Sequence, residues 1–228
     1  MRVANATVEA HPWRIHEIAP DFRVEDVWAL PVHGDADEFP SLLEVMASLD
    51  FPGASSLPAR FLWGARDLLG RMFDLGRIAG PRVDRADPPA GEPRVLGPHE
   101  SSLVDRLPDD LRHTAGHLET RVTPFFPLYL TDREYAAELS NRTVHGVIHL
   151  TWVDTGDGRY QGQMAVYVKP RGLFGEAYMG FIKPFRYGVV YPALMRQIER
   201  AWNRRGPRAG RAPVVSHVPD LEPAPSGG

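Results

Sequence analysis

Four segments with the character of β-strands follow one another in the second half of the chain, with only short links between them. They are rich in β-branched and aromatic residues, and they cover residues 125–130, 134–139, 143–153 and 160–169. The last link contains DTGDG, which is typical of a tight hairpin turn. Because parallel neighbours need a crossover of about a dozen residues or more, these links predict an antiparallel meander.

The segments on either side of this meander predict one more strand and several helices. Residues 22–32 (FRVEDVWALPV) are typical of a half-buried strand. Residues 41–49 and 59–75 carry apolar side chains at helical spacing, so two short helices are expected after that first strand. Residues 172–204 predict a long C-terminal helix, interrupted by kinks at Pro184 and Pro192. The fold class is therefore α+β.

The domain boundaries follow from composition. Residues 1–21 lack a clear period and are expected to form an N-terminal arm, whereas residues 22–205 are expected to form a single domain. Residues 206–228 are rich in Pro, Gly, Ala and Arg and predict a disordered tail. For residues 76–117 the sequence pattern does not distinguish among helix, strand and loop.

Composition excludes several classes of function. The chain has no cysteine, which removes disulfides, cysteine-based zinc sites and thiol nucleophiles, and its net charge of −3 does not favour nucleic acid as a partner. No apolar run approaches the ~20 residues that span a bilayer, and no signal core is present, so a cytoplasmic location is expected. Without a glycine-rich dinucleotide motif after a strand, no cofactor is expected.

The succession of strand, two helices, meander and long helix is that of a helix-grip fold, and three motifs support this interpretation. They are NRTVHGVIHLTWV (141–153), QMAVYVKPRGLFGEAYM (163–179) and IKPFRYGVVYPALM (182–195). They resemble an uncharacterised bacterial domain family of the START-like (SRPBCC, polyketide cyclase-like) superfamily. Members are often fused to NAD(P)-dependent epimerase or short-chain-dehydrogenase-like proteins. The resemblance implies a curved antiparallel sheet wrapped around the C-terminal helix, and a hydrophobic small molecule bound between them.

His145 and His149, spaced four residues apart, are the local motif that most suggests chemistry. A spacing of four on a strand places both on one face, but their Cα atoms are then separated by roughly 13 Å. One ion cannot be held by that pair alone, so no metal site is expected. The two histidines are either hydrogen-bonded polar residues of a sheet face or acid–base groups, and Tyr167 joins them as a candidate catalytic residue. Glu134 and Glu138 share a strand face and are either buried bases or exposed salt-bridge partners.

The opposite strand face predicts an apolar wall against the long helix, which is either solid core or the lining of a cavity. The candidate ligand-binding residues are Tyr129, Tyr135, Ile148, Leu150, Trp152, Met164, Val166, Tyr178, Phe181 and Phe185. The tyrosines either offer hydroxyl groups to a ligand or are packed with their tips in water.

Three functions remain open at this point. The first is binding of a hydrophobic small molecule such as a lipid, a polyketide or an aromatic metabolite. The second is a cyclase or aromatase in which His145, His149 and Tyr167 move protons without a metal or nucleotide cofactor. The third is a non-catalytic partner of a separate dehydrogenase-like protein, and a homo-oligomer is compatible with each.

Overall fold

The computed structural model describes residues 1–49, 101–114, 125–140, 144–171, 176, 179–180 and 183–205. The helix predicted over residues 59–75 and the tail predicted over residues 206–228 lie outside the described residues, as do Tyr178 and Phe181. Of the undecided stretch 76–117, residues 103–106 form a 3₁₀ turn.

A six-stranded antiparallel sheet forms the centre of the fold, in the order β1-β2-β6-β5-β4-β3. The strands are β1 (Arg2–Val3), β2 (Arg23–Gly34), β3 (Phe126–Leu130), β4 (Glu134–Ser140), β5 (Val144–Asp154) and β6 (Tyr160–Pro170). The predicted meander is confirmed as β3 to β6, with bounds within one residue of those expected. In the β5–β6 turn, Gly156 and Gly158 have φ angles of +100° and +76°, a conformation that glycine adopts at little cost.

The first long strand pairs with the last one. In the β2–β6 ladder, Trp28 lies opposite Met164 and Val27 opposite Ala165, and the register shifts between Val24 and Asp26 and again after Ala29. Such bulges bend and twist a strand, which gives the sheet its curvature.

Four α-helices accompany the sheet among the described residues. They are α1 (Asn5–Glu9), α2 (Ile15–Ile18), α3 (Phe39–Ser48) and α4 (Tyr191–Arg204). Helix α3 corresponds to the first predicted helix. Before it, the Asp35 side chain accepts from the backbone of Glu38 and the Glu38 side chain from that of Asp35, which satisfies two free N–H groups.

The C-terminal helix contains a π-helical turn. The helical path runs from residue 183 to residue 204, and the turn Arg186–Val190 leads directly into α4. Pro184 and Pro192 were expected to interrupt it. Pro192 instead lies at the start of α4, directly after the wider turn, where its missing N–H does not break the helix.

The two faces of the sheet are covered by different parts of the chain. On the first, here called the arm face, residues 5–22 and 103–111 pack over Val147, Ala165 and Tyr167. On the second, the helix face, α3 and α4 pack over Leu150, Trp152 and Met164. Residues 5–22 of the N-terminal arm thus include two short helices and cover the sheet. In the described part of the chain, no helix is long and apolar enough to cross a membrane.

Candidate functional site

Two buried histidine–glutamate pairs lie on the arm face. In the first, Nε2 of His145 lies 2.6 Å from Oε1 of Glu138. The hydroxyl of Ser102 donates to Oε2 of Glu138 at 2.9 Å, and the Leu103 N–H donates to Oε1 at 3.1 Å. Burial opposes ionisation of Glu138, but these donors outweigh it and hold the pKa of Glu138 below its usual value. The first pair is therefore a buried hydrogen-bonded contact whose carboxylate has further donors.

The second pair joins His149 to Glu134 in a larger network. Oε2 of Glu134 accepts from His149 Nε2 at 3.2 Å, from the Tyr129 hydroxyl at 3.0 Å and from the Arg14 N–H at 3.0 Å. His149 is fully buried, and its burial lowers its pKa, so the neutral imidazole is favoured. Its Nδ1 atom has no hydrogen-bond partner among the described residues. The indole of Trp13 lies edge-on to the His149 ring, 6.0 Å between centroids.

Tyr167 lies beside the second pair and under the N-terminal cover. Its hydroxyl shares a hydrogen bond of 3.1 Å with Nε2 of His16, and burial raises its pKa. The three candidate catalytic residues, His145, His149 and Tyr167, are therefore brought to one face. None of them faces α4.

The predicted ligand-binding residues are divided among several environments. Tyr135, Leu150, Trp152 and Met164 are buried in the helix-face core, whereas Ile148, Val166 and Phe185 are half-buried. Tyr129 lies on the arm face, bonded to Glu134. The helix face is thus densely packed around Leu150 and more open around Val166.

A polar cluster that sequence reasoning missed lies on the helix face. Asp26 is fully buried there; Nη2 of Arg186 donates to its Oδ2 at 2.6 Å, and the Tyr191 hydroxyl donates to its Oδ1 at 2.8 Å. Nη2 of Arg186 also donates to the Tyr191 hydroxyl, and Trp28 Nε1 donates to Asp26 at 3.1 Å. Burial raises the pKa of Asp26, partly offset by Arg186. The available signal was an aspartate on the apolar face of a strand.

Two polar atoms of the π-helical turn have no hydrogen-bond partner within the described ranges. Nη1 of Arg186 and the hydroxyl of Tyr187 are both buried, and neither has a partner among the described residues. The Tyr187 ring lies 5.8 Å from the Trp28 ring and 6.0 Å from the Tyr191 ring, centroid to centroid. Buried polar groups are nearly always hydrogen-bonded, so this pair needs an acceptor or a water molecule.

No three His, Asp or Glu residues of the described ranges lie close enough together to hold a metal ion. The donor sets on both faces are instead paired carboxylates, imidazoles, hydroxyls and one guanidinium. Such groups can hold a ligand by hydrogen bonds or move a proton.

Comparison with known proteins gives one match. The family model described as "Protein of unknown function (DUF2867)" matches residues 18–193, a range that includes β2 to β6, the π-helical turn and the start of α4. No curated protein and no solved structure matches the chain.

Proposed function

Because the chain belongs to the DUF2867 family, whose description names no activity, we propose its function from the geometry of the helix face: it binds a hydrophobic small molecule between the sheet and the C-terminal helix. The ligand is expected among lipids, polyketides or aromatic metabolites. The proposal includes a helix-grip architecture of the START-like type.

The chain order supports this architecture. A long strand, β2, is followed by α3, then by the meander β3 to β6, and last by α4. Strands β2 and β6 pair, so the meander and the first strand form one continuous curved surface. Leu194 and Ile198 of α4 pack on that surface together with Leu150 and Trp152.

The observation that carries the proposal is the pair of unpartnered polar groups in the π-helical turn. Arg186 Nη1 and the Tyr187 hydroxyl are withdrawn from solvent without a hydrogen bond from the described residues. Leaving a buried donor unsatisfied costs about 1–3 kcal/mol, more for a charged group. A ligand that offers an acceptor at this point would remove that cost.

The apolar residues around this point suit the body of such a ligand. Ile148 and Val166 are paired neighbours in β5 and β6, and Asp26 is the partner of Val166 in β2. Three apolar side chains here are half-buried, namely Ile148, Val166 and Trp28. In contrast, the next side chains on the same face of β5 and β6, Leu150 and Met164, are buried. An apolar strip that ends at Arg186 and Tyr187 favours a molecule with an apolar body and one acceptor group.

The placement of His145, His149 and Tyr167 bears on the cyclase alternative. They lie on the arm face, so the sheet separates them from a ligand on the helix face. The function proposed here is therefore binding, without proton transfer by those three residues. A cyclase that acted on a ligand at this face would have to use Asp26, Tyr187 or Tyr191.

The test is mass spectrometry of small molecules released from the natively purified protein. We expect a hydrophobic compound that carries a carboxylate or carbonyl group. We expect Val166→Trp, which fills the strip, to reduce recovery of the compound at least about fivefold. Arg186→Met should have an effect of the same size, because it removes a charge-assisted hydrogen bond that contributes about 1.5–3 kcal/mol.

Arg200→Met is the matched control, since Arg200 is exposed on α4. It should leave recovery unchanged. The proposal is overturned if the native protein releases no small molecule, or if all three variants recover the same amount as the wild type. A stoichiometric complex with a dehydrogenase-like protein and no released compound would favour the interaction alternative instead.

A further inference from the structure

A cleft lies at the end of the sheet where the N-terminal arm passes the β3–β4 turn. Its volume is about 540 Å³, within the range of small-molecule sites. Its wall includes His11, Trp13, Asp132, Arg133, Glu134 and Asp154.

One carboxylate of the cleft lining, that of Glu134, has only one of its two oxygens engaged in hydrogen bonds from the described residues. The Glu134 side chain is only 9% exposed. Its Oε2 atom takes all three hydrogen bonds, from Arg14, Tyr129 and His149, whereas Oε1 accepts none from the described residues. The three donors fix the orientation of the carboxylate. Because Glu134 lines the cleft, Oε1 is the oxygen left to accept a hydrogen bond from a ligand.

The rim of the cleft has an excess of negative charge. Asp132 and Asp154 are exposed, and neither forms an ion pair with any residue in the described ranges. The basic residue between them, Arg133, is already engaged: its Nη2 donates to the Tyr160 hydroxyl at 2.9 Å, and its Cζ lies 4.9 Å from the Tyr160 ring centroid. The lining thus holds three carboxylates and one guanidinium, which keeps its positive charge in these contacts, so negative charge is in excess.

An aromatic wall completes the site. Trp13 lines the cleft and is held in place because its ring packs against His11 on one side, at 4.5 Å between centroids, and against His149, at 6.0 Å. An indole beside carboxylates is an environment that favours organic cations, since a cation is attracted to the face of the ring and to the negative charge together.

We propose that this cleft binds a small organic amine in its ammonium form. The ammonium group donates a hydrogen bond to Oε1 of Glu134, and Asp132 and Asp154 supply the surrounding negative potential. The apolar body of the amine lies against Trp13. This site is distinct from the proposed hydrophobic site, because its lining includes none of Trp28, Ile148, Val166, Arg186 and Tyr187.

The test uses 2-phenylethylammonium as the probe, titrated into the full chain and followed by calorimetry. The neutral 2-phenylethanol and the anionic 3-phenylpropanoate serve as probes of similar shape. We expect saturable one-to-one binding of the amine, with the alcohol at least about tenfold weaker, a difference of about 1.4 kcal/mol, and the anion weaker still.

Variants at the exposed carboxylates Asp132 and Asp154 keep the result interpretable if Glu134 cannot be changed without loss of folding. The double change Asp132→Asn with Asp154→Asn alters exposed side chains only, and it should weaken amine binding about fivefold or more. Asp37→Asn is the control, because Asp37 is exposed and outside the cleft. Glu134→Gln should abolish binding of the amine if circular dichroism shows that it folds.

Three outcomes would overturn the proposal: equal affinity for the amine and the alcohol, no binding of the amine at millimolar concentration, or the same effect from Asp37→Asn as from the double variant. Arg186→Met should leave amine binding unchanged. This measurement therefore remains informative whether or not a hydrophobic ligand is found on the other face.

Discussion

Nε2 of His145 lies 2.6 Å from Oε1 of Glu138, and the two side chains are 1% and 0% exposed. His145 is on β5 and Glu138 on β4, and the same carboxylate accepts from Ser102 and Leu103. One buried hydrogen-bonded contact thus holds two strands and the 3₁₀ turn over the arm face together. The Phe22 ring lies edge-on to the imidazole of His145, with 4.9 Å between the ring centroids.

Removal of the histidine from this contact should be strongly destabilising. In His145→Ala the carboxylate of Glu138 stays buried without its nearest partner, and breaking a buried pair in this way costs about 3–5 kcal/mol. Urea denaturation should show that loss of unfolding free energy. His33→Ala, at an exposed histidine of β2, should change it by less than about 0.5 kcal/mol. Equal effects of the two changes would contradict this assignment.

His149 should make the protein less stable as the pH falls below neutrality. Burial depresses its pKa in the folded state, whereas in the unfolded chain it titrates near its ordinary value of about 6.5. Below that pH the unfolded state binds a proton that the folded state does not, so unfolding becomes more favourable, by up to about 1.4 kcal/mol per pH unit.

Urea midpoints at pH 7, 6 and 5 measure this dependence. His149→Phe removes the titrating group and should flatten the decline, while His33→Phe should retain the slope of the wild type. A wild-type slope in His149→Phe would show that another group is responsible.

Asp21 should contribute stability that is lost only in strong acid. Although partial burial opposes ionisation, hydrogen bonds from Arg106 and Lys169 lower the pKa of Asp21 to about 2. Its stabilising effect is therefore complete above about pH 4 and disappears as the pH falls towards 2. The side chain is 37% exposed, so screening limits the loss in Asp21→Asn at pH 7 to about 1 kcal/mol. The difference in unfolding free energy from the wild type should vanish near pH 2, and Asp37→Asn should show none at either pH.

Gly162 should tolerate no side chain. A Cβ atom at this position of β6 would lie 2.6 Å from Cγ2 of Val32 and 3.0 Å from Cδ2 of Leu42. Gly162→Ala would force β2 and α3 outwards and should lower the unfolding free energy by about 1–3 kcal/mol. Gly188→Ala, where a Cβ meets nothing within 4 Å, is the control and should cost nothing. A neutral Gly162→Ala would show that the side chains of Val32 and Leu42 can move aside at no cost.

The meander could be predicted from the sequence because the patterns that indicate it are local. Alternation along residues 143–153 and 160–169, together with the glycines of the intervening turn, is sufficient to predict two paired strands. The N-terminal arm was not accessible, since α1 and α2 have only five and four residues and helices this short depend on tertiary packing. Their buried positions, among them Ile15 and Ile18, make no recognisable period.

The candidate site was predictable in part. Even spacing correctly placed His145 and His149 on one face, and likewise Glu134 and Glu138. Their pairing was not evident, because it depends on the β4–β5 register, in which Ala136 lies opposite His149 and Ser140 opposite His145. The contact between Asp26 and Arg186 joins residues 160 positions apart, and no local pattern indicates it.

The β2–β6 ladder also sets an order of events in time. Residues 23–34 emerge from the ribosome long before residues 160–170, so the first long strand waits for a partner while more than a hundred residues are synthesised. During that interval the backbone N–H and C=O groups along its unpaired edge are exposed to other chains, as is typical of strands that pair late. The sheet is thus completed late in the synthesis of this protein, and a chaperone would protect the unpaired strand most effectively before that point.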